Sequence, residues 1–77
     1  MRYRYEVRIG PDDVGQRVVI RWRRPTGAGG EEVADVVGQL EQADAHGFTV
    51  RDRHGALVVV PRARALAAKV VPTRRSR

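Results

Sequence analysis

Few side chains in this 77-residue chain could perform covalent or acid–base chemistry. There is no cysteine, so thiolate nucleophiles, disulfides and thiolate metal sites are excluded. The single serine, Ser76, lies in the terminal segment Thr73-Arg74-Arg75-Ser76-Arg77, remote from either histidine in sequence. His46 and His54 each sit beside a glycine in a turn-like stretch, which reads as solvated turn chemistry rather than a metal or proton-transfer site. Asp12-Asp13 and Glu31-Glu32 are adjacent pairs, and neighbours on a strand point to opposite faces instead of converging. The remaining pattern is Arg24-x-x-Gly27-x-Gly29, which matches R-x-x-G-x-G/A, a loop whose amides cradle the pyrophosphate of acetyl-CoA at a helix N-terminus. A true site of that kind needs a helix immediately after Gly29, so its meaning depends on the element that follows.

Charge is the second chemical resource. Formal net charge is +6, with fourteen arginines and one lysine. Residues 1–24 carry seven arginines and three acids, residues 25–60 two arginines and six acids, and residues 61–77 five arginines, Lys69 and no acid. Basic ends around an acidic middle are the footprint of a nucleic-acid or membrane-surface binder; the same bias also simply solubilises a small domain. If phosphates or a partner are contacted, Arg21, Arg23, Arg62, Arg64 and Lys69 are the candidates. The 73–77 tail is then either a disordered linker stub or an arm touching phosphates.

The elements that must position these groups are organised around Phe48 to Pro72. Phe48 and Val50 alternate with Thr49 and Arg51, Asp52-Arg53-His54-Gly55 supplies turn residues, and Ala56 to Val60 resumes an apolar, β-branched run, so a hairpin is expected. Pro61 fixes φ and donates no ladder hydrogen bond, which stops the strand and starts one 3₁₀-like turn over residues 61–65. A last short strand follows from Leu66 to Val71. Upstream, Val18, Ile20 and Trp22 share one face of a strand and Arg17, Val19, Arg21 and Arg23 the other. Trp22 is assigned to the core rather than to a stacking platform. Residues 1–13 form an edge strand or an ordered arm, with Tyr3, Tyr5, Val7 and Ile9 on one side, broken by Gly10-Pro11-Asp12-Asp13.

Residues 31–45 fit two periods. Val33, Val36, Val37, Leu40 and Ala43 line one face of a helix; the same stretch also reads as a strand. Gly38 in mid-segment costs a helix roughly 1 kcal/mol relative to Ala, whereas in a bent barrel strand a glycine marks a bulge or kink. A long bent strand from Val33 to Ala43 is therefore expected, and the R-x-x-G-x-G match is accidental. The fold class is all-β: a five-stranded SH3-like barrel over residues 14–72, with a single 3₁₀ turn before its last strand.

Several segments together resemble a known family: Val14-Gly15-Gln16-Arg17-Val18-Val19-Ile20-Arg21, Asp35-Val36-Val37-Gly38-Gln39-Leu40, Phe48-Thr49-Val50-Arg51, Val59-Val60-Pro61-Arg62-Ala63 and Ala67-Ala68-Lys69-Val70-Val71-Pro72. They are similar to the N-terminal SH3-like domain that precedes the catalytic domain of actinobacterial GNAT-family N-acetyltransferases. The resemblance implies a non-catalytic accessory module that packs on or guides an acetyltransferase domain, in cis or in trans. The CoA site belongs to that other domain, so the resemblance assigns no catalytic, cofactor or metal residue here. Association with another protein is the expected partnership, with nucleic acid as the alternative. No apolar run approaches the ~18 residues of a membrane span, and Met-Arg-Tyr-Arg-Tyr-Glu lacks a signal-peptide core, so a cytoplasmic location is expected.

Overall fold

The alternation from Arg17 to Arg23 becomes the first strand of a single antiparallel sheet in the computed structural model, which describes residues 5–72. We number the strands β1 (Arg17–Pro25), β2 (Glu31–Asp44), β3 (Gly47–Asp52), β4 (Leu57–Pro61) and β5 (Ala65–Val70). Their order across the sheet is β4-β3-β2-β1-β5. The all-β, five-stranded expectation therefore holds.

One face of each strand builds the core. Val18, Ile20 and Trp22 of β1, Val36, Leu40 and Ala43 of β2, Phe48 and Val50 of β3, Val60 of β4 and Ala68 of β5 are buried together with Ile9. Trp22 retains only 7% of its exposure, which places it in the core as its strand face predicts. Phe48 is the largest fully buried side chain, and aromatic burial supplies much of the apolar area available to so small a domain.

Residues 31–45 resolve in favour of the strand, which is longer at both ends than expected. Its register with β1 is regular through Val19 opposite Val37, Arg21 opposite Asp35 and Arg23 opposite Val33. The kink expected at Gly38 lies instead at Glu41, where the β2–β3 register shifts between Leu40 and Gln42. Gly38 serves a different purpose: a Cβ there would lie 2.1 Å from the Arg51 carbonyl oxygen. The missing side chain lets β3 cross close over β2, and the extra residue at Glu41 lets β2 bend around the core. A second register shift lies on the β5 side of β1, between Arg21 and Trp22.

The turns follow local chemistry. In the β3–β4 hairpin, the Asp52 carboxylate accepts from the His54 and Ala56 amides at 2.9 and 3.0 Å, and Gly55 takes φ +85°. The expected 3₁₀ turn forms, but over Arg62–Arg64 alone: Pro61 closes β4 and Ala65 opens β5. A further 3₁₀ turn, absent from the sequence expectation, is Pro11–Asp13. Proline pre-sets its first φ, and the Asp13 carboxylate accepts from the Gly10 amide at 2.9 Å.

Ahead of that turn, the chain from Glu6 to Arg8 lies alongside β5. Val7 bridges Ala68 in a parallel sense, the Arg8 amide donates to the Ala68 carbonyl at 2.7 Å, and the Ala68 amide donates to the Glu6 carbonyl at 3.0 Å. The stretch from Glu6 to Ile9 is thus an ordered arm over β5, with Val7 half-buried and Ile9 in the core. Tyr3 and the 73–77 tail lie outside the described residues. No helix among the described residues is long and apolar enough to cross a membrane.

Candidate interaction surface

The candidate cations fall into different environments. Arg21 projects from the outer face of β1 and makes two hydrogen bonds with Asp35 directly across the ladder, at 2.9 and 3.1 Å. These bonds hold the Asp35 carboxyl below the ordinary carboxylate range, against a smaller opposing effect of burial and with the Arg21 charge adding to them. Arg23 shares that outward face, and Lys69 lies opposite Val19 on the neighbouring β5. Arg62 and Arg64 belong to the 3₁₀ turn that joins β4 to β5. The Arg62 guanidinium stands 4.9 Å from the centroid of the Phe48 ring, while Arg64 is ion-paired with Glu31 at the start of β2.

Arg21 and Lys69 line one groove of about 580 Å³, together with Tyr5, Arg8, Val19 and Ala67. Arg23, Arg62 and Arg64 do not line it. A second groove of about 540 Å³ contains Arg17, Arg53 and His54 around Trp22, Val36 and Val58. Sequence reasoning did not select Arg17 or Arg53. Both were hidden because a linear charge count cannot distinguish arginines that face a carboxylate from those that do not.

Carboxylates are heavily engaged. Arg8 pairs with Glu6, Arg24 with Glu32 and Arg51 with Glu41. Asp44 accepts from the Gln42 side-chain amide at 3.0 Å and from the His46 and Gly47 amides at 2.8 and 3.2 Å, and its carboxyl is held low chiefly by the Gln42 bond. His46 and His54 are exposed turn residues, as their glycine neighbours suggest. Among the described residues no group of three or more His, Asp or Glu side chains is arranged to hold a metal ion. The glycine-rich connector after Arg24 leads directly into β2, so the pyrophosphate-loop pattern lacks the helix it requires.

Apolar side chains also reach the surface. Val33 and Val37 are exposed on the outer face of β2, Leu57 and Val59 on β4, and Tyr5 beside β5. The outer face of the β1–β2–β5 region therefore mixes a cross-strand ion pair with exposed aliphatic groups.

This architecture defines the class as a small all-β, barrel-type domain. The match to the family model described as the Rv0428c N-terminal Sm-like domain spans residues 12–69, and the chain belongs to that family. Comparisons with curated proteins and with solved structures gave no match.

Proposed function

We propose that this domain is a non-catalytic interaction module that associates with another protein, with a GNAT N-acetyltransferase domain as the partner that the sequence resemblance implies. The observation that carries this reading is the set of exposed apolar residues Val33, Val37, Leu57, Val59 and Tyr5 on so small a domain. Surface of that kind gains free energy when a partner removes it from water, at about 25 cal/mol per Å² of apolar area. Membership of a family defined as an N-terminal domain supports the same reading. A cytoplasmic setting accompanies it.

The test is to mix the domain with a purified GNAT acetyltransferase domain from a protein that carries this module, and to follow co-elution and heat of binding. Stoichiometric co-elution is expected. Separate elution with no heat of binding at micromolar concentrations contradicts the acetyltransferase partnership.

A second reading, charge-driven binding of nucleic acid, draws on Arg23, Arg62 and Lys69, for which the described residues supply no carboxylate partner. Arg21 and Arg64 would have to exchange Asp35 and Glu31 for phosphate. Anisotropy of labelled duplex and single-stranded DNA at low and near-physiological salt separates the readings. Micromolar affinity that survives at near-physiological salt, with a salt slope that flattens when Arg23, Arg62 and Lys69 are neutralised, favours nucleic acid; no binding at near-physiological salt leaves protein association.

A further inference from the structure

The two edges of the sheet are treated differently. At β5 the arm covers the centre of the edge, engaging both the amide and the carbonyl of Ala68. At β4 the ladder parity can be read from the hairpin. The Asp52 amide donates to the Ala56 carbonyl at 2.9 Å, and the Arg62 amide to the His46 carbonyl at 2.9 Å. Asp52 and Ala56 are therefore a hydrogen-bonded pair, and alternation makes Val50 with Val58 and Phe48 with Val60 the next ones. The amides and carbonyls of Leu57 and Val59 consequently point away from β3. β4 is the end strand of the sheet, β3 is its only ladder partner, and among the described residues no loop or turn bond reaches these groups. The side chains of Leu57 and Val59 are 54% and 63% exposed.

An open edge with exposed aliphatic side chains and no charge between Ala56 and Pro61 is a template for another extended segment. Its surroundings select the segment. Arg53 in the hairpin turn stands at one end and Arg62 at the other; neither has a carboxylate partner among the described residues. The nearby Asp52 carboxylate is committed to the turn amides. A second copy paired antiparallel about Val59 would bring each Arg53 turn towards the other copy's Arg62–Arg64 turn, a like-charge encounter. A head-to-tail pairing of β4 with another copy's β5 would have to displace the arm.

We infer that the β4 edge takes up an extended segment of about six residues from a partner protein, apolar at alternate positions and carrying carboxylates near its ends, as an added sixth strand. This deepens the interaction-module reading and rests on it. The segment's main chain pairs with Leu57 and Val59, its side chains pack on theirs, and its terminal carboxylates face Arg53 and Arg62.

The experiment uses the full ¹⁵N-labelled chain and the capped peptide Glu-Val-Thr-Val-Thr-Val-Glu, with a counterpart whose two glutamates are lysines. Expected are amide shifts along β4, slowed exchange at the Leu57 and Val59 amides, and affinity weakened by about tenfold or more for the lysine peptide. Val59→Pro removes an outward donor that β3 does not use, so it retains the dispersed spectrum and loses the peptide. The double variant Leu57→Lys and Val59→Lys reaches the same end through exposed side chains if the proline perturbs folding.

Equal binding of both peptides, shifts confined to another face, no shift at millimolar peptide, or concentration-dependent dimerisation through β4 each overturns the inference. Repeating the acetyltransferase co-elution with Val59→Pro separates the two levels. Unchanged co-elution leaves the module reading standing and removes the β4 edge from it; no co-elution for either form removes the acetyltransferase partnership, while the peptide titration still decides the edge.

Discussion

Gly38 is the residue on which the packing of β3 over β2 depends most visibly. An added Cβ meets the Arg51 carbonyl carbon at 2.8 Å as well as its oxygen, and both atoms belong to backbone that the ladder holds in place. Gly38→Ala is expected to destabilise the domain by about 3 kcal/mol or more, measured by urea denaturation, with much of a marginal total stability removed. Two carboxylates give a second residue-scale expectation. Asp35 is held low first by hydrogen bonding from Arg21, and Asp44 first by Gln42 and then by the His46 amide. Because their folded values lie below the unfolded ones, their stabilisation is present above about pH 4 and is lost as pH falls through the folded values. The melting temperature should therefore decline on acidification below about pH 4, less steeply in Asp35→Asn and Asp44→Asn. Both groups are largely solvated, so the changes are small.

At the scale of elements, the N-terminal arm joins the fold through Ile9. That side chain is 7% exposed and contributes to the same core as Val18 and Phe48. Ile9→Ala is expected to cost about 2–4 kcal/mol by thermal or urea denaturation; a cost under about 0.5 kcal/mol would mean that the arm is not packed. The strands β1, β3 and β5, the 3₁₀ turn after Pro61 and the core position of Trp22 were all legible, because alternation, β-branching and proline act over a few residues. Residues 31–45 were ambiguous because valines at positions 33, 36 and 37 satisfy both periods; Gly38 decided correctly for strand, though the bulge falls at Glu41. The parallel docking of the arm on β5 is a contact distant in sequence that periodicity cannot encode. The outward direction of Leu57 and Val59 was hidden for a related reason: an unbroken apolar run carries no alternation to show which residues face the core.

For the whole molecule, the sequence read the basic ends as a footprint, but it could not foresee where each charge would stand. Folding sets Arg21 against Asp35, Arg24 against Glu32 and Arg64 against Glu31, so three arginines of the basic end segments meet acids of the middle segment, while Arg51 pairs with Glu41 inside that segment. Among the five sequence-selected cations, Arg23, Arg62 and Lys69 are left facing no carboxylate among the described residues, at separated points of the surface. The molecule is thereby more differentiated along its edges than by its net charge: one edge is covered at its centre by its own chain, and the other presents, between two arginines, main chain that pairs with no other strand among the described residues.

That asymmetry is tested most directly by native-state hydrogen exchange of the free domain, resolved amide by amide. The Ala68 amide should exchange slowly, near the rate limited by opening of the arm and sheet, while the Leu57 and Val59 amides exchange orders of magnitude faster than their ladder neighbours Val58 and Val60. Comparable protection of Leu57, Val58, Val59 and Val60, or an unprotected Ala68, would contradict it.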